Sequence, residues 1–292
     1  MRKKGLFLVI LSIAALLVLR GFHFFQPSSF CLPIQLMNPY QIPCTTIEIE
    51  GKIYQVEIDL GTKMALSLHK DILQKIKKEL CGTSRRLDFL GNRYETPLYL
   101  IPNVRVGNRR LKRVKTREES GDFCAKTSIV VEAKTDVQKD GRLGRDFFVD
   151  KNIFMDFHNL VFVVCEKISD LKQYKIDDFL PVPFKVTSSG IFVDIDTDIG
   201  VQRFAIDTGS TASAIRASSM ANDRAVQREG LSVFETSKFI VNGVDLGHRD
   251  LYLLDISQQL DELDGFLGMD FLKEYALYLD FSKQVAYISK SR

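Results

Sequence analysis

Residues 141–164 read GRLGRDFFVDKNIFMDFHNLVFVV, and residues 265–288 read GFLGMDFLKEYALYLDFSKQVAYI. The offset between them is constant, 265 − 141 = 124, and no gap is needed. Gly141, Leu143, Gly144, Asp146, Phe147, Asp156, Phe157 and Val161 recur as Gly265, Leu267, Gly268, Asp270, Phe271, Asp280, Phe281 and Val285. Eight identities in 24 positions, with two glycines at fixed spacing, mark an internal duplication.

Upstream, residues 47–62 read IEIEGKIYQVEIDLGT and residues 195–210 read IDTDIGVQRFAIDTGS. Each is an alternating strand, a turn, a second alternating strand and an Asp-x-Gly-Thr/Ser triplet with its hydroxyl residue. Alternation every second residue predicts hairpins with one buried face. A third pair, Val104-Arg105-Val106-Gly107-Asn108 and Phe239-Ile240-Val241-Asn242-Gly243, carries the Asn and Gly of tight hairpin turns. The expectation is a mainly all-β chain of two units: residues 31–168 and 184–292, joined by a connector at 169–183 that holds two prolines.

Composition agrees with a folded protein: 292 residues, 45% hydrophobic and 26% charged. A net charge of +3 does not suggest nucleic acid, and no such partner is expected. At the N-terminus, Arg2, Lys3 and Lys4 precede an apolar run from Gly5 to Leu19. Residues 1–30 are therefore read as a hydrophobic helix, either a cleaved signal peptide or an uncleaved signal anchor. No small-x-small cleavage site follows closely, which favours the anchor. The body is then expected on the extracytoplasmic side, periplasmic or lumenal, attached to the membrane or secreted. Five cysteines, Cys31, Cys44, Cys81, Cys124 and Cys165, leave at least one unpaired within the chain, and their connectivity stays open. No Cys-x-x-Cys or His-rich spacing points to a metal, and no cofactor is expected.

Asp207-Thr208-Gly209-Ser210 after an apolar strand, followed by Phe266-Leu267-Gly268-Met269-Asp270-Phe271, resembles a lobe of a pepsin/retropepsin-type aspartic protease. Asp59-Leu60-Gly61-Thr62 with Arg142-Leu143-Gly144-Arg145-Asp146-Phe147 resembles the same lobe. The likeness covers nearly everything after the N-terminal segment, as two retropepsin-like units fused in one chain. It implies a two-lobed acid-protease-like fold and an endopeptidase in which Asp59 and Asp207 activate a water. Two facing carboxylates cannot both ionise easily, so they share a proton. Gly61 and Gly209 are expected to permit close backbone approach. By resemblance, Thr62 and Ser210 hydrogen-bond the outer carboxylate oxygens, and the Thr208 hydroxyl reaches the opposite loop. Leu60 departs from the pattern, so half of that grip lacks its hydroxyl.

Unit one has about a dozen extra residues between its aspartate and its hairpin, and they include Arg86 to Tyr94. This segment is read as a hairpin with a Gly91-Asn92 tip, and as a flap over substrate to which Tyr94 contributes; the plain alternative is a surface hairpin. The groove is expected to take an extended peptide with apolar residues beside the cut. Asp146, Asp156, Asp270 and Asp280 are read as cap or turn residues. The seven Lys/Arg between Arg105 and Arg117 are read as a solvated edge strand. His69, His158 and His248 receive no role. Three alternatives stay open. Unit two could work as a dimer across two chains instead of a monomer, the fold could bind peptides without cleaving them, or the chain could process its own N-terminus.

Overall fold

In a computed structural model the described residues are 29–38, 40–119, 140–148, 150–220, 224–228 and 230–290. The predicted N-terminal helix and Cys124 lie outside them. The chain is mainly β and two-lobed, and three sheets account for the architecture.

The paired hairpins form as their sequences dictate. Strand Ile42–Ile49 turns through Glu50 and Gly51, both at positive φ, into strand Lys52–Asp59. That is the backbone a two-residue turn needs if its twist is to match the strands it joins. Strands Ile191–Thr197 and Gly200–Ile206 repeat the arrangement and end just before Asp207. Gly141–Gly144 then pairs in parallel with Lys52–Asp59, bringing Gly144 opposite Asp59. Gly265–Leu267 pairs likewise with Gly200–Ile206. Each also runs antiparallel to the strand that follows its aspartate loop, Leu66–His69 or Ala214–Arg216. The repeated glycines are required by this wedging. A Cβ on Gly141 would sit 2.1 Å from the Ser67 carbonyl oxygen, and one on Gly265 would sit 2.3 Å from that of Ala214.

The third sheet joins the lobes. Its centre pairs Asn152–Asp156 with Leu277–Asp280, in the register Ile153 to Leu279, Phe154 to Tyr278 and Met155 to Leu277. Because 154 + 124 = 278, Phe154 faces its own repeat equivalent, and its neighbours cross over symmetrically. A pseudo-twofold axis therefore passes between them. Strands Phe30–Cys31 and Leu180–Pro183 close the two edges, the latter from within the predicted connector. The asparagine Asn152 links the repeats at this seam: its amide donates to the Tyr278 hydroxyl at 2.9 Å and accepts from the Phe281 N–H at 3.1 Å.

One expectation fails here. Strand Arg109–Glu119 is not an edge, because it lies between Leu66–His69 and Arg93–Val106. Arg110, Lys112, Arg113 and Lys115 are solvated, but Arg117 is buried. The same strand leaves solvent after Lys115: Arg117, paired with Leu98 of the neighbouring strand, is buried. The described cysteines, Cys31, Cys44, Cys81 and Cys165, are free thiols. Among the described residues no helix is long and apolar enough to cross a membrane.

Candidate active site

The two Asp loops meet at the ends of their strands. A Cβ on Gly61 would lie 2.6 Å from the Asp207 carboxyl carbon, and one on Gly209 would lie 2.8 Å from that of Asp59. Each glycine thus makes room for the opposite carboxylate, where a backbone-to-backbone approach was expected. Thr208 ties the loops together: its hydroxyl donates to the Ile58 carbonyl at 2.7 Å and accepts the Leu60 N–H at 2.9 Å. Leu60 is fully buried in the core and supplies no reciprocal hydroxyl. The grip is one-sided, as its sequence implies. Thr208→Val should leave a buried carbonyl and a buried N–H unpaired, costing about 1–3 kcal/mol. Thermal unfolding should show a drop of roughly 2–12 °C, and an unchanged midpoint would mean that the loops are held by other contacts.

The carboxylates sit in unlike surroundings. Asp59 is buried and is an acceptor on every side. Its Oδ1 accepts the Thr62 N–H at 3.0 Å, its Oδ2 accepts the Thr62 hydroxyl at 2.9 Å, and Arg142 Nη1 is 3.1 Å from Oδ2. Asp207 accepts the Gly209 N–H at 2.9 Å. Ser210 does not mirror Thr62, since its hydroxyl donates to the Ala212 carbonyl at 2.8 Å. Burial first, and then the Asp59 charge, push the Asp207 carboxyl up to about 7. Asp59 meets donors on both oxygens and Asp207 is the carboxyl pushed up, so Asp207 is the side that carries the shared proton.

Other repeated aspartates hold turns. Asp270 accepts the Ser213 N–H at 2.9 Å and its hydroxyl at 2.7 Å, which fixes the second Asp loop. Asp156 accepts two bonds from Asn159, and Asp280 accepts from Ser282 and Lys283. Burial raises the Asp146 carboxyl above its usual range.

The hairpin expected over the groove is present: Glu79–Leu87 pairs with Arg93–Val106 around a tip at residues 88–92. Gly91 takes φ +89° in that tip. Asp88 organises it, accepting the Asn92 N–H at 2.8 Å, the Asn92 side-chain amide at 2.9 Å and the Tyr94 hydroxyl at 3.0 Å. Burial would push the Asp88 carboxyl up, but these bonds outweigh it and hold the group below its usual range. Phe89 then reaches the other lobe. Its carbonyl accepts the Ser257 N–H at 2.7 Å, and its ring meets Phe266 edge-on at 6.2 Å. The landing loop is clamped from below by buried Arg216, which donates to the carbonyls of Ile256, Leu260 and Leu263.

Sequence reasoning missed the cations. Arg142 is the unassigned position of Gly-x-Leu-Gly, where the other repeat has Phe266. Buried, it touches three carboxylates: Glu57 at 3.2 Å, Asp59 at 3.1 Å and Glu119 at 3.3 Å. Arg145 donates to the Gly61 carbonyl at 2.9 Å and to the Ser188 carbonyl, strapping the first Asp loop to the second lobe. The signal was available as an unpaired difference: the repeat puts Glu57 and Arg142 where its twin has Ala205 and Phe266. Among the described residues no group of His, Cys, Asp and Glu is placed to hold a metal ion.

These lobes, with two Asp loops meeting on a pseudo-twofold axis, define an acid-protease-like fold. No protein-family model matches the chain, and no curated protein matches it. Among solved structures, basic 7S globulin from soybean matches with a TM-score of 0.57 at 10% identity, over 90% of this chain and 95% of that one. At that identity the likeness speaks to the fold alone.

Proposed function

We propose that this chain is an aspartic endopeptidase whose dyad is Asp59 and Asp207. The observation that carries the reading is the mutual fit of each Asp with the opposite glycine, Gly61 against Asp207 and Gly209 against Asp59. A water between the carboxyls is the nucleophile, and no cofactor takes part. Asp59 takes a proton from the water while Asp207 gives its proton to the scissile carbonyl oxygen, forming a tetrahedral diol. Collapse of the diol breaks the C–N bond: one diol hydroxyl returns its proton to Asp207, and the departing nitrogen receives the proton held by Asp59. Thr62 orients Asp59, while Thr208 and Ser210 hold the loop geometry. The hairpin tip, with Gly91, Asn92 and Tyr94, acts as the flap that shuts out water. One chain supplies both carboxyls, so a monomer suffices. Substrate is a peptide or protein, met outside the cytoplasm by a body attached through its N-terminal segment.

A second reading, a peptide-binding module without catalysis, draws on Arg142 lying against Asp59. The test is cleavage of a mixed peptide library by the full chain in mild detergent from pH 3 to 9. The dyad works only while Asp207 keeps its proton, so activity should fall as pH rises through about 7. Peptide binding without cleavage at every pH would favour the module.

A further inference from the structure

Strand register places a rung of side chains across each lobe, on the sheet face that carries the aspartate. In lobe 1 the rung is Glu57, Arg142, Ser67 and Arg117, through the pairs Glu57 to Arg142, Ser67 to Arg142 and Ser67 to Arg117. In lobe 2 the same connections give Ala205, Phe266, Ala214 and Tyr252. Around that second rung Leu254, Ile256, Leu260 and Leu263 form an apolar cluster with Phe266. The pseudo-twofold axis sets one rung beside Asp59 and the other beside Asp207. A peptide crossing the dyad therefore offers the residue on one side of its cut to a charged wall, and the residue on the other side to an apolar one. Apolar residues on both sides, the expectation from sequence, do not suit this groove.

The cations of the first wall are not matched alike. Arg142 engages Glu57, Asp59 and Glu119 together. Arg117, only 6% exposed, donates to the Ser67 hydroxyl at 3.2 Å, and its Nε has no hydrogen-bond partner. Arg86, from the hairpin above, stacks its guanidinium over the Tyr94 ring at 4.9 Å. Burial first, and then the neighbouring Arg86 charge, push Arg117 down to about 10, while Glu119 offsets part of this. A buried guanidinium with an idle N–H, repelled by a second cation, is a fork awaiting a carboxylate.

We infer that the lobe 1 side of the groove selects an acidic side chain, with Arg117 as the specificity-determining residue, and that the lobe 2 side takes an apolar one. This rests on the groove reading above and adds the substrate class. Lifting of the Phe89 tip from Ser257 would admit the peptide. The carboxylate would then accept from the Arg117 Nε that lacks a partner.

The experiment uses peptides whose scissile carbonyl is replaced by a hydroxymethylene group, so that binding is read without cleavage. Matched pairs carry Glu or Gln on one side of that group and Leu on the other, in both orientations. Titrated calorimetrically into the full chain in mild detergent at pH 5.5, the Glu peptide should bind at least about tenfold tighter than its Gln twin in one orientation. Arg117→Met should bring the ratio to about one, and Arg117→Lys should keep part of it. Equal binding in both orientations, no binding of any peptide, or a ratio that survives Arg117→Met would overturn the inference. Ordinary amide peptides of the same sequences are read separately. A binding preference without any cleavage would sink the protease reading and leave the arginine-lined acid-binding subsite standing.

Discussion

Asp59→Asn and Asp207→Asn are each expected to lower kcat/KM by about 10³-fold or more, since each removes one proton-transfer partner. Their effects on stability should differ, and this separates the dyad from a generic pair of buried acids. Asp59 accepts from Thr62 twice and lies against Arg142. An amide there turns an NH2 toward donors and takes one of the three carboxylates from a buried guanidinium. Asp59→Asn should therefore be destabilising at every pH above the carboxylate range. Asp207 holds its proton up to about 7, well above an unfolded aspartate at 3.8. The sign follows: folding retains a proton that the unfolded chain releases, so this contribution is fully present below about pH 4 and is lost as pH rises through 7. Asn at 207 keeps a neutral group at all pH. The melting temperature of wild type should fall relative to Asp207→Asn between pH 4 and 7, as read by calorimetry. Parallel curves would mean that Asp207 is not the proton carrier. If only Asp207→Asn abolished cleavage, unit two would be working across two chains.

What was legible in the sequence was whatever steric necessity had written twice. Gly141, Gly144, Gly265 and Gly268 recur because backbone carbonyls of neighbouring strands pass where a Cβ would sit. The Asp-x-Gly triplets recur because each glycine faces the other lobe's carboxylate. The hairpin turns showed as Glu50-Gly51 and Asn242-Gly243, whose positive φ values the turn type imposes. What escaped was made by register between strands far apart in sequence. Glu57, Arg142 and Arg117 become neighbours only when three non-adjacent strands align, and periodicity within one strand cannot report that. The basic run misled for a related reason: its charges looked alike, yet Lys115 is solvated and Arg117, two residues on along the same face, is buried. Ser210 misled because its triplet matches Thr62, while the hydroxyl lacks a methyl to fix its rotamer and turns to Ala212.

Removing the cation at position 142 should be the most damaging single change outside the dyad. Arg142→Met would leave Glu57, Asp59 and Glu119 buried together with no guanidinium between them. Stripping one partner from a buried ion pair costs about 3–5 kcal/mol, because the remaining charge is neither solvated nor matched. For a chain of this size that is a fall of roughly 6–20 °C in melting temperature. The loss should shrink as pH is lowered, since carboxyls that can take up protons no longer repel. Arg142→Lys should recover part of it, because one ammonium cannot reach three carboxylates as a planar fork does. Activity should follow separately. Without Arg142 the proton shared by the dyad loses its fixed side, so the pH-rate profile of any surviving Arg142→Lys activity should shift from that of wild type. Phe266 stands at the equivalent place in the other lobe and confines such a charge to one side. If Arg142→Met melted within about 1 kcal/mol of wild type, with its pH-rate profile unmoved, Arg142 would be a bystander and the unequal roles of Asp59 and Asp207 would need another cause.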